Sequence, residues 1–386
     1  MESRWPQDSL GLYVHIPFCR NKCPYCDFYS LACSDPAQLQ AYTESLCREI
    51  LSCPPKYRIK PVDSLYFGGG TPSLLTPRQI GTIIDAAAAG FTFHKEAEIT
   101  MEINPATINQ GTLKAYQKAG VNRVSLGLQG LQDKELKVLG RIHSAADAIK
   151  AIEATKAAGF DNINFDLIYG IPGQTITDWM HCLQQAIDYQ PHHISMYLLQ
   201  LEPQVPMSRA IAAGQLALPE EAEVEAMYYR AVDSLHDKGL KQYEISNFAR
   251  DGYACRHNLR YWQFGEYLGF GAAAVSRLGG LRWMNAADLN IYMAREPNRA
   301  SSGQIVLEDM TPRQQALEAM IMGLRLTSGV NLEAYRKRFG MDLAQELLHR
   351  AERFIDHGLL ETDNGWLRLT KPGYLLSNQV LCCFAE

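Results

Sequence analysis

The stretch CRNKCPYC, residues 19–26, sets Cys19, Cys23 and Cys26 at a four-then-three spacing, in a chain with no other obvious need for grouped thiols. It follows LYVHIP (12–17), a β-rich run, so the thiols fall in a loop at the C-terminal end of a first strand. Thiolates are the usual ligands of iron–sulfur clusters, and a tight loop lets three of them reach three corners of one cubane. A structural zinc site is the main rival, but it calls for four closed ligands, commonly two separated pairs. Cys33, seven residues on, and His15, upstream on the strand, are the nearest fourth candidates, and neither has an obvious spacing. Three unliganded core cysteines are the bland alternative, weakened by Arg20, Asn21 and Lys22 in the same loop. The spacing favours a three-thiol cluster with one iron left open.

Working outward, five more β-rich runs follow: SLYFGGG (64–70), ITMEIN (99–104), RVSLGLQ (123–129), INFDLIYG (163–170) and HISMYLLQ (193–200). Amphipathic patterns lie between them, such as 41–51 with Tyr42, Leu46 and Ile50 on one face, and 178–189 with Trp179, Leu183 and Ile187. Six strands, each followed by a helix, predict an α/β fold whose parallel sheet curves into a barrel or part of one. Chemistry in such folds gathers at the C-terminal strand ends, where 68–71, Glu102, Gln129 and Asp166 fall. Glycines at 68–70 let main-chain groups approach a ligand closely, although a lone GGG often marks only a strained turn. Glu102 has the chemistry to grip hydroxyls or an ammonium group; standing alone it would read as a surface carboxylate.

A helix over 220–238 and a glycine- and aromatic-rich stretch over 245–300 come next. Helices at 313–326, 331–339 and 343–357, then LLET, the turn Asp363-Asn364-Gly365 and WLRLT, predict a small winged-helix-like α+β domain. It reads as a packing or lid module, because Arg336, Lys337 and Arg338 are offset by Glu333, Asp342, Glu346 and Asp356. The net charge of −5 likewise excludes a broad electrostatic grip on nucleic acid. MESRWPQDSL has no apolar core of a signal peptide, no run is long enough to span a bilayer, and CCFAE ends in a residue unusual for a prenylation box. Ten cysteines without an export signal read as thiols or metal ligands, and the protein as cytoplasmic.

YVHIPFCRNKCPYCDF resembles the signature of the radical S-adenosylmethionine (SAM) superfamily, in its coproporphyrinogen-oxidase-like branch. The resemblance runs on through GGGTP, EINP, SLGLQ, LGRIHS and NFDLIYGIPGQT, over nearly the whole chain. It implies a partial (β/α)6 radical-SAM barrel in which Cys19, Cys23 and Cys26 hold a [4Fe–4S] cluster and SAM chelates the open iron. It implies a SAM site lined by Tyr13, Tyr25, Gly69, Gly70, Thr71, Glu102, Gln129, Arg141 and Asp166, with Gln200 and Val275 as weaker candidates. The expected division is 1–240 for the barrel with its cluster and SAM site, 241–306 for a connecting segment, and 307–386 for the C-terminal helical and winged domain.

Two families of this branch compete. The oxygen-independent coproporphyrinogen III dehydrogenases carry a further cysteine two positions past the third, where this chain has Phe28, and a longer N-terminal segment. Both departures favour the HemW family of heme chaperones, which this chain resembles also at CRHNLRYW, residues 255–262. There His257-Asn258-x-x-Tyr261-Trp262 is similar to a motif associated with heme binding. A neutral imidazole ligates heme iron and flanking aromatics cover the macrocycle. Without the resemblance, a histidine beside Tyr and Trp reads as a packed, hydrogen-bonded loop residue. The resemblance thus implies a chaperone that binds heme, with His257 as a contributor, and passes it to acceptors such as membrane-bound respiratory proteins. Any membrane contact would be peripheral, and a homodimer is an open option. The alternative is a porphyrinogen dehydrogenase or another radical-SAM enzyme.

Overall fold

The computed structural model describes residues 8–33, 35–295 and 303–385. The segment 1–7 and Glu386, on which the signal-peptide and prenylation readings partly rest, lie outside them. Six parallel strands form the centre: β1 (Leu10–Ile16), β2 (Val62–Gly69), β3 (Phe93–Ile103), β4 (Arg123–Gln129), β5 (Ile163–Tyr169) and β6 (His193–Leu198). Long helices cross between them, including Pro36–Leu51, Pro77–Gly90, Ala145–Ala157 and Ile176–Asp188. Their starts are locally encoded. Thr76, Ser144 and Thr175 each close a capping box with the residue three positions on, which satisfies otherwise orphaned amides of the first turn.

Alternation along the strands sorts the two faces. Leu65 and Phe67, Met101 and Ile103, Val124 and Leu126, and Phe165 and Leu167 pack outward in the main core. The inner face is polar: Ser64 and Tyr66, then Glu98, Thr100 and Glu102, then Arg123, Ser125, Asn164, Asp166, His193 and Ser195. Burying such groups is tolerable only when they are hydrogen-bonded. Asn164 shows how: its amide nitrogen donates to Ser125, Asp166 and Ser195, and its oxygen meets His193 Nδ1 at 2.6 Å.

The sheet stays open and grows at both edges, which the strand–helix rhythm did not show. The antiparallel strands β7 (Lys241–Glu244) and β8 (Asn247–Ala249) extend it beyond β6. On the other side β9 (Tyr267–Phe270) pairs parallel to β1, followed by antiparallel β10 (Val275–Leu278), β11 (Leu281–Asn285) and β12 (Gln304–Asp309). Among the described residues the order is β12-β11-β10-β9-β1-β2-β3-β4-β5-β6-β8-β7. A short helix, Arg256–Trp262, sits between the two extensions and carries the HNLRYW residues.

Past Thr311 a second core gathers Leu317, Met320, Tyr335, Leu347, Leu367 and Phe384. Helices Pro312–Gly323, Leu332–Phe339 and Met341–Asp356 precede the hairpin of β14 (Leu360–Asp363) and β15 (Trp366–Leu369); β13 (Val330–Asn331) completes its three-stranded sheet. Helices followed by a hairpin give the winged arrangement expected. No helix of the described residues is long and apolar enough to cross a membrane.

Candidate functional site

The C-terminal ends of the six parallel strands surround one cavity of about 410 Å³. Cys19, Cys23 and Cys26 stand on its wall, free and partly exposed. Their loop is held from several sides. Cys26 N donates to Cys23 O at 3.1 Å, Met207 N donates to Pro24 O at 2.9 Å, and Gly140 lets the Pro24 ring approach closely. Thr71 Oγ1 and Arg141 Nη1 donate to the sulfurs of Cys19 and Cys23 at 3.6 and 3.5 Å, contacts that favour thiolates. Burial pushes the Cys26 thiol up, and Cys23 and Cys19 add to the rise. Three thiols kept close in a semi-buried loop thus gain from a cationic centre that takes up their charge.

The two residues weighed as a fourth ligand are engaged elsewhere. Cys33 Sγ donates to Gln38 Oε1 at 2.6 Å, and the His15 ring bridges Tyr13 OH and the Tyr29 carbonyl at 3.0 and 2.9 Å. Among the described residues no three His, Cys, Asp or Glu side chains, the three thiols included, are grouped to hold a single metal ion.

The glycines after β2 bring main chain against this loop. Gly69 has φ +113°, and its N–H donates to Glu102 Oε2 at 3.2 Å. A Cβ on Gly70 would meet Phe18 O at 2.7 Å and Cys19 Sγ at 3.0 Å. Only glycine fits this approach. Glu102 Oε1 accepts from Tyr66 OH at 2.9 Å. Burial, with the nearby Asp166 carboxylate adding to it, pushes the Glu102 carboxyl up to about 7. Burial also raises Asp166, against the hydrogen bonds it accepts from Ser125 Oγ (2.7 Å) and Asn164 Nδ2 (2.9 Å). Two buried acids facing one cavity favour a ligand that brings positive charge and hydroxyl groups.

The remaining wall comes from β4 and the segment after it. A register shift at Gly127–Gln129 and a left-handed Gln129 (φ 64°) end β4 and bring Gln129 onto the cavity wall. Arg141 Nη2 is anchored on Gly127 O at 3.1 Å. The structure therefore brings Tyr25, Gly69, Gly70, Thr71, Glu102, Gln129, Arg141 and Asp166 together around the cavity with the three thiols, and Gln200 with them. Tyr13 stands behind this wall, stacked near Tyr66 with ring centres 6.3 Å apart, and Val275 lies on β10 away from it. Tyr66 and Tyr197 line the cavity and were not singled out from sequence; for Tyr66 the signal was its place two residues before Gly68, on the same strand face; Phe28, which stands where a dehydrogenase has its further cysteine, lines it too.

His257, expected to contribute to heme binding, lies away from the thiol cavity in this structure. It is 1% exposed, at the opposite, N-terminal end of the barrel. Its Nδ1 is bonded to Ser64 Oγ at 3.0 Å and its Nε2 to Tyr261 OH at 2.9 Å, so neither nitrogen is open to iron. Burial, and then the Arg260 charge, bring its pKa down to about 3 and keep it neutral. Cys255 is equally buried, its thiol pushed up to about 12 by burial.

Comparison with known proteins agrees with the fold and extends over the whole chain. The radical SAM superfamily model matches residues 13–186, and that of the HemN C-terminal domain matches 310–376. The structure of coproporphyrinogen III oxidase (HemN) from Escherichia coli superposes with a TM-score of 0.83 over 99% of this chain and 91% of that one, at 22% identity, a likeness of fold. The heme chaperone HemW of Lactococcus lactis is 33% identical, over 97% of both chains. Those of Bacillus subtilis and E. coli are each 32% identical, over 96–97% of this chain and 98% of theirs. Similarity of this extent, spanning barrel, connecting strands and winged region alike, establishes that the chain belongs to the HemW family of the radical SAM superfamily.

Proposed function

We propose that this protein is a heme chaperone: it binds heme and hands it to heme-requiring acceptor proteins. The observation that carries the reading is the full-length similarity to heme chaperones, which includes the segments outside the barrel. Phe28, standing where a dehydrogenase would have its further cysteine, supports it.

In this reading Cys19, Cys23 and Cys26 hold a [4Fe–4S] cluster, and SAM occupies the cavity beside it. When bound, such a cluster supplies one electron at low potential and an open iron for the amino and carboxyl groups of SAM. The chain's own residues orient the cosubstrate. The Gly69–Gly70 backbone admits its amino-acid end against the thiol loop, and Glu102 and Asp166 offer carboxylates to its cationic and hydroxyl groups. Arg141 neutralises the charge gathered at Cys23, and Tyr25 and Gln129 close the remaining sides. We place the protein in the cytoplasm, with peripheral membrane contact when it meets a respiratory acceptor, and homodimer formation is compatible with the reading. Residues 1–240 would be the barrel, 241–306 the connecting segment and 307–386 the C-terminal domain.

The test is anaerobic. Protein reconstituted with iron and sulfide, and shown to bind SAM, is offered coproporphyrinogen III with a low-potential reductant, and separately heme followed by an apo-acceptor. Heme transfer without decarboxylation is expected. Catalytic formation of protoporphyrinogen would overturn the reading in favour of a dehydrogenase.

A further inference from the structure

The helix Arg256–Trp262 closes the barrel from below, and it is bound to the same strands that build the Glu102 side of the cavity above. Glu98 of β3 accepts from the backbone N–H groups of Arg256 and His257 at 3.1 and 3.4 Å, and from Cys255 Sγ at 3.4 Å. Arg260, buried, pairs with Asp63 of β2 and donates to Ser9 O at 3.0 Å. Glu98 and Glu102 lie on the same face of β3, one at the floor and one at the cavity wall. Between the two levels stands a column of rings. His257 stacks on Tyr66 with centres 5.2 Å apart and planes 26° apart, and on Tyr13 at 6.3 Å and 28°. Tyr66 OH then reaches Glu102 Oε1 at 2.9 Å.

We propose that His257 is a positioning residue for the cosubstrate cavity: locked by Ser64 and Tyr261, it fixes the Tyr66 ring and through it the aim of the Glu102 carboxylate. The proposal rests on the assignment of that cavity to SAM. An iron-ligand role asks the opposite of the same side chain. It would have to leave a slot in which it is 1% exposed and give up both hydrogen bonds. As a fixed element the imidazole needs no movement, and both of its nitrogens serve the column.

The test uses full-length protein, cluster-loaded under anaerobic conditions, comparing wild type with His257→Phe, His257→Gln and Ser64→Ala. SAM affinity is measured by calorimetry and by the SAM-induced change in the spectrum of the reduced cluster. Heme is titrated by its Soret band, with cluster content as control. His257→Phe keeps a ring in the slot but no hydrogen bond, and SAM affinity should fall roughly five- to tenfold, the worth of about one lost hydrogen bond. The Soret titration should stay as in wild type. His257→Gln, which retains a donor and an acceptor, should recover most of the loss. Ser64→Ala should give a smaller fall in the same direction, and it carries the test if His257→Phe does not fold. SAM affinity at the wild-type level in the folded variants would overturn the proposal, and a lost Soret shift alongside it would restore the iron-ligand role. Wild type that carries the cluster yet binds no SAM would overturn the cavity assignment itself, and this proposal with it.

Discussion

Replacing Glu102 by glutamine separates two effects of one buried carboxyl. In the protein without SAM, burial and Asp166 hold this group at about 7, against an ordinary value of 4.5. The folded state therefore keeps a proton that the unfolded chain has released. Its contribution to stability is complete below about pH 4.5, declines as pH rises toward 7, and is gone above that. The whole span is on the order of 3 kcal/mol, taking about 1.4 kcal/mol per tenfold step in proton affinity. Glutamine cannot ionise, so Glu102→Gln should match wild type near pH 5 and exceed it at pH 8. For a chain of this length the gap corresponds to a melting difference of about 4 °C. SAM affinity should behave oppositely. In wild type it should rise with pH up to about 7, because the cationic ligand favours the carboxylate. In Glu102→Gln it should be weaker by about 10- to 100-fold, as for a lost charge-assisted contact, and lack that rise. Melting curves and SAM calorimetry at four pH values between 5 and 8 measure both. Parallel stability profiles for the two proteins would refute the buried-acid argument, and equal SAM affinities would refute the role given to Glu102.

Three further outcomes follow from the same geometry. Cys23→Ser should retain little iron or acid-labile sulfide after reconstitution, whereas Cys33→Ser, whose thiol is turned to Gln38, should load normally; equal losses would undo the three-thiol assignment. Gly69→Ala puts a Cβ 2.5–2.9 Å from the His15 ring on a backbone with φ +113°, and should destabilise by about 2 kcal/mol or more; an unchanged melting temperature would show that β2 is not so confined. Arg260→Met removes the partner of a quarter-exposed Asp63 and should lower stability by about 2–3 kcal/mol, as read by urea unfolding; Asp63→Asn in the same background should return part of it.

The strand–helix rhythm was legible because each parallel strand is a compact β-rich run bounded by turn residues. Boundaries were missed where exposed polar residues lengthen an element. β3 begins at Phe93 rather than near Ile99, since His94, Lys95 and Glu96 continue it in the open. The helix expected from 41 begins at Pro36, capped by the Asp35 side chain, because its first turn is mostly exposed and shows no apolar pattern. β9 stayed hidden in a glycine-rich stretch because its register is set by β1 some 250 residues away, a pairing that no local period reveals; β10, β11 and β12 then follow it in antiparallel order. The cavity residues were legible through the motif resemblance. Tyr66, Glu98 and Arg123 were not, because strands buried on both faces are expected to be apolar throughout and these carry polar side chains inward. For His257, an imidazole between aromatics in sequence says nothing of the depth at which it lies, which is set by Ser64 and Glu98 on distant strands.

The pairing of β1 with β9 has a consequence for the order of biosynthesis. β1 and the thiol loop are complete within the first 26 residues, and β2 covers one edge of β1 by residue 69. Its other edge has to wait for Tyr267–Phe270, and the floor of the barrel for Arg256–Trp262. At translation rates of about 5–20 residues per second, that delay is on the order of 10–40 seconds. During it the nascent chain presents an unpaired strand edge next to three unoccupied thiols, with the polar interior still open beneath them. A ribosome stalled before residue 256 would leave both that edge and the floor of the barrel incomplete.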